Sequence, residues 1–365
     1  MSNRIIVYAG TYTLPVAHVK QSAGEGIHIF SFDTDSGQLT KLDVTGNIES
    51  PSFLAIDSTQ SYLYAGSEVD EWAEDRIRAF AINPDDGKLT FLNHQSAMGS
   101  SAAYVSVDRS NQYVLAANYS SGSVVLFPIE ENGSLAPASN IQNHDYPLAG
   151  TVPSRQESAH AHCILMDRNN RFALACDLGL DKVIVYKLDT EENQLVVNEV
   201  AYLDVNPGAG PRHLIFHPHS DYVYVANELD STVSVLAFDS EAGSLSMLQT
   251  ISTLPDGFTG GDNWCSDIHV SADGRFLYVA NRGHDSLVIY SIDDANGELT
   301  FIAHQATKGN TPRNFAIDPT GQFLLVANQD SDNIVIFRIN QQTGLLDEVA
   351  VSACPTPVCL KMISL

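Results

Sequence analysis

Basic residues are scarce in this chain: 19 lysines and arginines stand against 44 aspartates and glutamates, a formal net charge of −25 over 365 residues. A surface of that sign repels nucleic acid and anionic lipid and favours solubility. No stretch of about 18 consecutive apolar residues occurs, so no segment reads as membrane-spanning. The start, MSNRIIVYAG, reads as a strand rather than a charged segment leading into a long apolar run, and no signal peptide is expected. Cysteine is sparse and odd in number, five without close pairing. Cys163, Cys176 and Cys265 fall in or beside apolar runs and read as reduced, packed thiols. A cytoplasmic protein is the simplest expectation. The G-x-S-x-G, P-loop and H-E-x-x-H motifs are also missing, and GAGPRH (208–213) lacks the third glycine of a dinucleotide fingerprint. Helical 3.6-residue periodicity is absent as well.

What the chain does contain is a repeat. Six segments share one plan, an apolar run, a polar turn, and a second apolar run ending in a small residue: 51–67, 102–118, 161–177, 211–227, 265–281 and 312–328. The turns open at Asp57, Asp108, Asp167, His217, Ser271 and Asp318. Ten residues after each stands Ser67, Asn118, Asp177, Asn227, Asn281 or Asn328. A constant hairpin within a period of 47 to 59 residues is one supersecondary unit repeated about an axis. A third run follows each hairpin, as in KVIVYKLD (182–189) or NIVIFRIN (333–340), and then a weaker fourth such as GELTFIAH (297–304). Their β-branched and aromatic content, with regularly spaced turns, reads as strand. Four antiparallel strands per unit is a propeller blade.

The ends settle the number of blades. PVCLKMIS (357–364) reads as a lone first strand, while RIIVYAGTY (4–12), GIHIFSFD (26–33) and QLTKLDVT (38–45) read as second, third and fourth. Joined, they make a seventh blade and remove the edges of an open ring. The expected fold is therefore all-β, a seven-bladed propeller spanning 1–365 as one domain and closed by its terminal strands.

The start of strand one and the end of strand two lie on the same face of the disc. The longest connections, 12–25, 67–76, 140–160 and 252–265, all fall on that face, which marks it as the binding face. Equivalent positions at the start of strand one are Ser52, Ala103, His162, Arg212, Ser266, Arg313 and Val358. Just past strand two come Glu68, Tyr119, Leu178, Glu228, Arg282 and Gln329. Consecutive blades thus offer His162, Arg212 with Glu228, Arg282, and Arg313. In a chain with so few cations, three arginines around one channel mouth argue for an anionic ligand, against the plainer reading of Arg212 and Glu228 as a salt bridge within one blade.

At these residues the chain resembles a known family. SAHAH (158–162), GAGPRH (208–213), VANE (225–228), VANRGHDS (279–286) and GNTPRNFAIDP (309–319) are similar to segments of the bacterial lactonase family of seven-bladed propellers. That family contains cycloisomerase-type 6-phosphogluconolactonases and is related to fungal carboxy-cis,cis-muconate cyclases. The resemblance covers essentially the whole chain. It implies a hydrolase opening an anionic sugar lactone in the pentose phosphate pathway, with no cofactor. It also implies that His162, Arg212, Glu228 and Arg282 are catalytic, the same four that the ring of mouth positions selects. His160, His213, Asp267 and Arg313 complete the candidates as substrate-binding residues.

The chemistry suits the residues. Guanidinium forks bind phosphate or carboxylate bidentately. A fixed cation stabilises the oxyanion formed when water opens a lactone. His162 is the natural proton-transfer group, and Glu228 either shares that role or orients an arginine. A carboxymuconate-type lactonising isomerase, or a lactonase for another acid, is an alternative. So is a non-catalytic propeller that binds an anion or a protein. Other signals are weaker. His160 and His162 form an H-x-H with no third zinc ligand in view. Glu228, Asn227 and Asp267 imitate a propeller calcium site. Cys163 adjoins His162 but, as a neighbour in a strand, is expected to face the other side. Arg155, in the loop before His162, is expected to be solvated. The partner is then a small anionic lactone or sugar acid, with neither nucleic acid nor membrane involved, and the protein is a monomer or a weak homo-oligomer.

Overall fold

The computed structural model describes residues 4–69, 71–148 and 150–365. The first three residues, and Asp70 and Ala149 in two of the long connections, lie outside it. The described residues form seven four-stranded antiparallel sheets. Blade 1 orders its strands Pro357–Ser364, Ile5–Thr11, Ile27–Asp33, Gln38–Thr45, so the two termini do share it. The first two strands of blades 2 to 7 are Pro51–Ile56 and Tyr62–Ser67, Ala102–Val107 and Tyr113–Asn118, Ala161–Met166 and Phe172–Asp177, Pro211–Phe216 and Tyr222–Asn227, Trp264–Val270 and Phe276–Arg282, and Pro312–Ile317 and Phe323–Asn328. First strands of consecutive blades touch, and that of blade 7 touches that of blade 1, closing the ring.

There is no single core. Successive side chains of a strand point to opposite faces, and here each face meets a different neighbouring blade. Val223 and Val225 pack toward blade 4, whereas Tyr224 and Ala226, between and after them, pack toward blade 6. Seven such interfaces make up the apolar interior, which is why the inner strands are apolar on both faces. Four buried tyrosines lock the interfaces: Tyr8, Tyr64, Tyr224 and Tyr278 donate to the carbonyls of Gly87, Gly133, Gly297 and Gly344 in the next blade. The turn aspartates have a local task. The Asp108 carboxylate accepts the amides of Ser110, Gln112 and Tyr113, and Asp57, Asp167 and Asp318 act alike. The small polar residues ending strand two also turn inward, as when Asn118 and Asn281 donate to the carbonyls of Ala97 and Thr253.

One irregularity recurs in every blade. The strand-one ladder skips a residue just after its first rung: Pro51 pairs with Ser67 and Phe53 with Gly66, leaving Ser52 out. The skipped residues in the other blades are Ala103, His162, Arg212, Arg313 and Val358, and in blade 6 the break covers Ser266 and Asp267. A β-bulge bends the strand and re-aims side chains. The mouth positions are the bulge positions, and strict alternation fails there. Cys163, expected to face away, joins the buried cluster between blades 4 and 5, against which Tyr104 packs, and it does not reach the cavity.

Closure of the ring depends on the Pro357–Ser364 strand, which pairs with Ile5–Thr11 and buries Val358, Cys359, Leu360 and Ile363. Leu360→Ala, emptying a site between blades 1 and 7, is expected to cost about 2–5 kcal/mol in urea unfolding. Deleting 357–365 is expected to lower the thermal midpoint further still. An unchanged midpoint after that deletion would mean that the ring closes in another way.

Candidate functional site

A cavity of about 750 Å³ opens at the channel mouth, lined by residues of all four long connections: His18 and Lys20, Glu68, Arg155, and Trp264 at the end of the fourth. His162, Arg212, Glu228, Arg282 and Arg313 line it too. Five of the 19 basic side chains of the chain therefore face one cavity.

Its centre is the Glu228 carboxylate, buried and held by three guanidiniums. Oε2 lies 2.7 Å from Arg212 Nε and 2.8 Å from Arg282, and Oε1 lies 2.6 Å from Arg155. Burial alone would push this carboxyl up, but Arg282, Arg212 and Arg155 outweigh it and hold it well below the usual carboxylate range. Glu228 is thus a permanently ionised counter-ion rather than a proton carrier. Burial, then Arg282, draw the Arg212 guanidinium down to about 9 against the pull of Glu228, and it stays charged at neutral pH. Three positive charges against one negative leave this cluster with a net charge of +2.

Arg155 is the main correction to the expectations from sequence. Only about a third of its side chain is exposed (32%), and it caps Glu228, because its loop is anchored on both sides. The neighbouring Gln156 donates to the Leu178 carbonyl and the Asp181 carboxylate, at 3.0 and 2.7 Å. Asp181 also accepts the amides of Gly208 and Gly210, at 2.6 and 2.8 Å. This one buried aspartate ties the Arg155 strap to the turn that delivers Arg212. Gly210 has φ +63°, and a side chain there would collide with Leu229. Nothing in the repeat pattern singled out Asp181.

His162 lines the same cavity, with edge-to-face contacts to Tyr119 and His213 at 5.4 and 5.2 Å. Its Nδ1 is buried without a hydrogen-bond partner. Burial first, then Arg212 and His213, hold its pKa well below the ordinary histidine value, so the imidazole is neutral at neutral pH. A neutral imidazole beside fixed cations can accept a proton.

The remaining candidates lie elsewhere. His213 and Asp267 are under the cavity, not in its wall, because each directly follows or closes a bulge. Arg212 has only donors to offer. His213 Nε2, 3.1 Å from Arg212, therefore accepts, and its Nδ1 donates to Asp267 at 2.9 Å. Burial and Arg212 lower the His213 pKa to about 3, so it stays neutral. The pair orients Arg212 from beneath. His160 stacks behind Tyr119 at 4.4 Å and pairs with Glu157 at 3.1 Å, outside the cavity. It does not converge with His162 on a metal. The three residues that imitate a calcium site are also spread apart: Glu228 lines the cavity, Asn227 does not, and Asp267 lies beneath it, engaged by His213, His269 and Asn314.

Further round the mouth, on blades 7, 1 and 2, stand Arg313, Tyr12 and Glu68. Tyr12 donates to Glu68 at 2.6 Å, and Arg313 lies over the Tyr12 ring, 3.8 Å from Glu68. In the sequence Glu68 reads as a mouth position without a role, and Tyr12, which occupies the same position after strand two, is not singled out. Tyr12 was hidden because the closing blade lacks a contiguous hairpin to align.

The chain matches the family described as Lactonase, 7-bladed beta-propeller, over residues 6–362. It is 39% identical to a 6-phosphogluconolactonase of Bacillus subtilis over 87% of this chain and 86% of that one. A 6-phosphogluconolactonase of Formosa agariphila is 36% identical, with 86% of each chain covered. A solved structure of a periplasmic gluconolactonase of Pseudomonas aeruginosa superposes with a TM-score of 0.91 at 32% identity, covering 99% of both chains.

Glu228→Gln removes the only carboxylate shared by the three guanidiniums and leaves Arg212 buried without a counter-charge. Breaking a buried pair in this way is expected to cost about 3–5 kcal/mol in urea unfolding. A variant as stable as the parent would show that the cluster is not held by charge.

Proposed function

The chain belongs to the seven-bladed β-propeller lactonase family, and on that premise we propose that its channel mouth hydrolyses 6-phosphogluconolactone, a sugar lactone carrying a phosphate. The observation that carries this reading is the Glu228 cluster, whose two uncompensated positive charges suit a dianion. Arg155 and Arg282 face the cavity with donors for the phosphate. Arg212, held rigidly by Glu228, His213 and the Ser266 carbonyl, is the fixed charge next to His162.

In the reaction His162 takes a proton from a water molecule as the water oxygen attacks the lactone carbonyl carbon. The carbonyl π electrons move onto oxygen, and the resulting oxyanion is stabilised by Arg212, a preorganised cation that need not move. As the carbonyl reforms, the ring C–O bond breaks and His162 returns the proton to the leaving oxygen. The product is the open hydroxy acid. A positioned acid–base group contributes about 10²–10⁴-fold, enough for a lactone that already reacts slowly with water. We place the protein in the cytoplasm on its five free, buried cysteines, although the P. aeruginosa neighbour is described as periplasmic. Among the described residues no helix is long and apolar enough to cross a membrane.

A pH-stat assay with freshly prepared lactones tests the reading. Wild type is expected to prefer 6-phosphogluconolactone over gluconolactone in kcat/KM by about 10- to 150-fold, the worth of one charged hydrogen bond. Arg282→Ala should reduce that preference, and equal rates on both lactones would refute a phosphate site. His162→Ala is expected to lower kcat by about 10²-fold or more with KM within a few fold. A general base must be unprotonated, and the His162 pKa is lowered. The acid limb of kcat/KM is therefore expected to fall below pH 6.5, the ordinary histidine value, and to vanish in His162→Ala. Activity is expected to survive dialysis against a strong chelator, and a loss restored by calcium or zinc would overturn this mechanism.

A further inference from the structure

We infer that Gln329 and Arg313 form a subsite for the hydroxyl groups of the substrate's sugar, in the same cavity as the Glu228 cluster but on blade 7, an inference that rests on the sugar-lactone reading above. Residues sixteen apart in sequence, the bulge residue and the one just past strand two, face each other at the mouth of a blade. In blade 5 these are Arg212 and Glu228, in contact at 2.7 Å. In blade 7 they are Arg313 and Gln329, so a neutral amide stands where blade 5 has a carboxylate. Both line the cavity, and they are 9% and 2% exposed.

The amide is fixed in one orientation. Gln329 Nε2 donates to Asp330 Oδ1 at 2.9 Å, and Asp330 is itself anchored by the Thr311 hydroxyl at 2.8 Å. That leaves the Gln329 carbonyl oxygen as the other end of the amide, and it is buried without a hydrogen-bond partner. A buried acceptor without a donor costs roughly 1–3 kcal/mol, which a ligand donor would recover. Arg313 lies over the Tyr12 ring and pairs with Glu68 at 3.8 Å, longer than a hydrogen bond, and among the described residues its N–H groups make no hydrogen bond.

A free acceptor beside free donors matches one chemical group in particular. A hydroxyl both donates and accepts, whereas a phosphate dianion only accepts and would leave the Gln329 oxygen unsatisfied. Two groups of residues thereby divide the work, one reading the anion and the other the polyol.

Calorimetric and ³¹P NMR titrations of wild type and Gln329→Leu with 6-phosphogluconate and with inorganic phosphate test this. Gln329→Leu keeps the charges of the mouth and removes the acceptor. It is expected to weaken 6-phosphogluconate about 10-fold while leaving inorganic phosphate within a factor of two. Unchanged affinity for both would overturn the subsite, and so would an equal loss for both, which would mean that Gln329 merely shapes the mouth. Gln329→Glu, which restores the blade 5 pairing, is expected to weaken both ligands by neutralising Arg313. Undiminished phosphate binding in that variant would also count against the assignment. If wild type binds neither ligand and opens neither lactone, the lactonase reading itself falls and takes the subsite with it. A failure confined to the variants leaves that reading standing.

Discussion

A single buried carboxylate organises this molecule's chemistry. Isolated guanidiniums could not be packed this closely out of water, since each desolvated charge carries a penalty of several kcal/mol and each repels the others. Glu228 makes the arrangement tenable by pairing with Arg212, Arg282 and Arg155 at once. The immobility of Arg212 and the closure of the Arg155 strap follow from that contact, and the guanidiniums it gathers add to the burial that lowers the His162 pKa. The compensation is incomplete, and two positive charges of the cluster remain unbalanced.

That local field operates against the character of the whole chain. With a formal net charge of −25 the protein repels anions at long range. Screening confines such repulsion to about 8 Å at physiological ionic strength, while charges in a partly buried mouth are screened far less. An anion of the kind proposed would therefore feel little of that repulsion before the mouth, where five basic side chains converge. Attraction by this site is a short-range effect, which suits recognition more than steering.

The bulge is the geometric counterpart of this charge pattern. A regular strand would send every second residue away from the channel and allow only one channel-facing layer near the rim. Skipping one residue in each blade lets Arg212 face the cavity while the next residue, His213, sits below and receives its hydrogen bond. The same device stacks His162 over Cys163 and Arg313 over Asn314. The wall and its support are thus adjacent in sequence, seven times over, and the repeat can diversify its chemistry at two positions without disturbing the ladder below.

The repeat itself was legible in the linear order of residues, because each blade is a local unit: alternating apolar runs, Asp or Ser turns and a small polar strand end need only near neighbours to form. Blade number, ring closure through 357–364 and the mouth positions of His162, Arg212, Glu228 and Arg282 follow from equivalence between copies. The rest depended on contacts that no repeat encodes. Arg155 reads as an ordinary loop arginine until Gln156 and Asp181 are seen to pin its loop across the mouth. His213, Asp267 and His160 read as wall residues until the bulge and the Tyr119 ring place them beneath or behind it. Tyr12 joins Glu68 only because the first and second blades adjoin around the ring. Sequence by itself determined which units form and where their chemistry is concentrated, since both are properties of short-range order. Only the tertiary structure decided which charges meet, because burial and closing the circle set the distances over which those charges act.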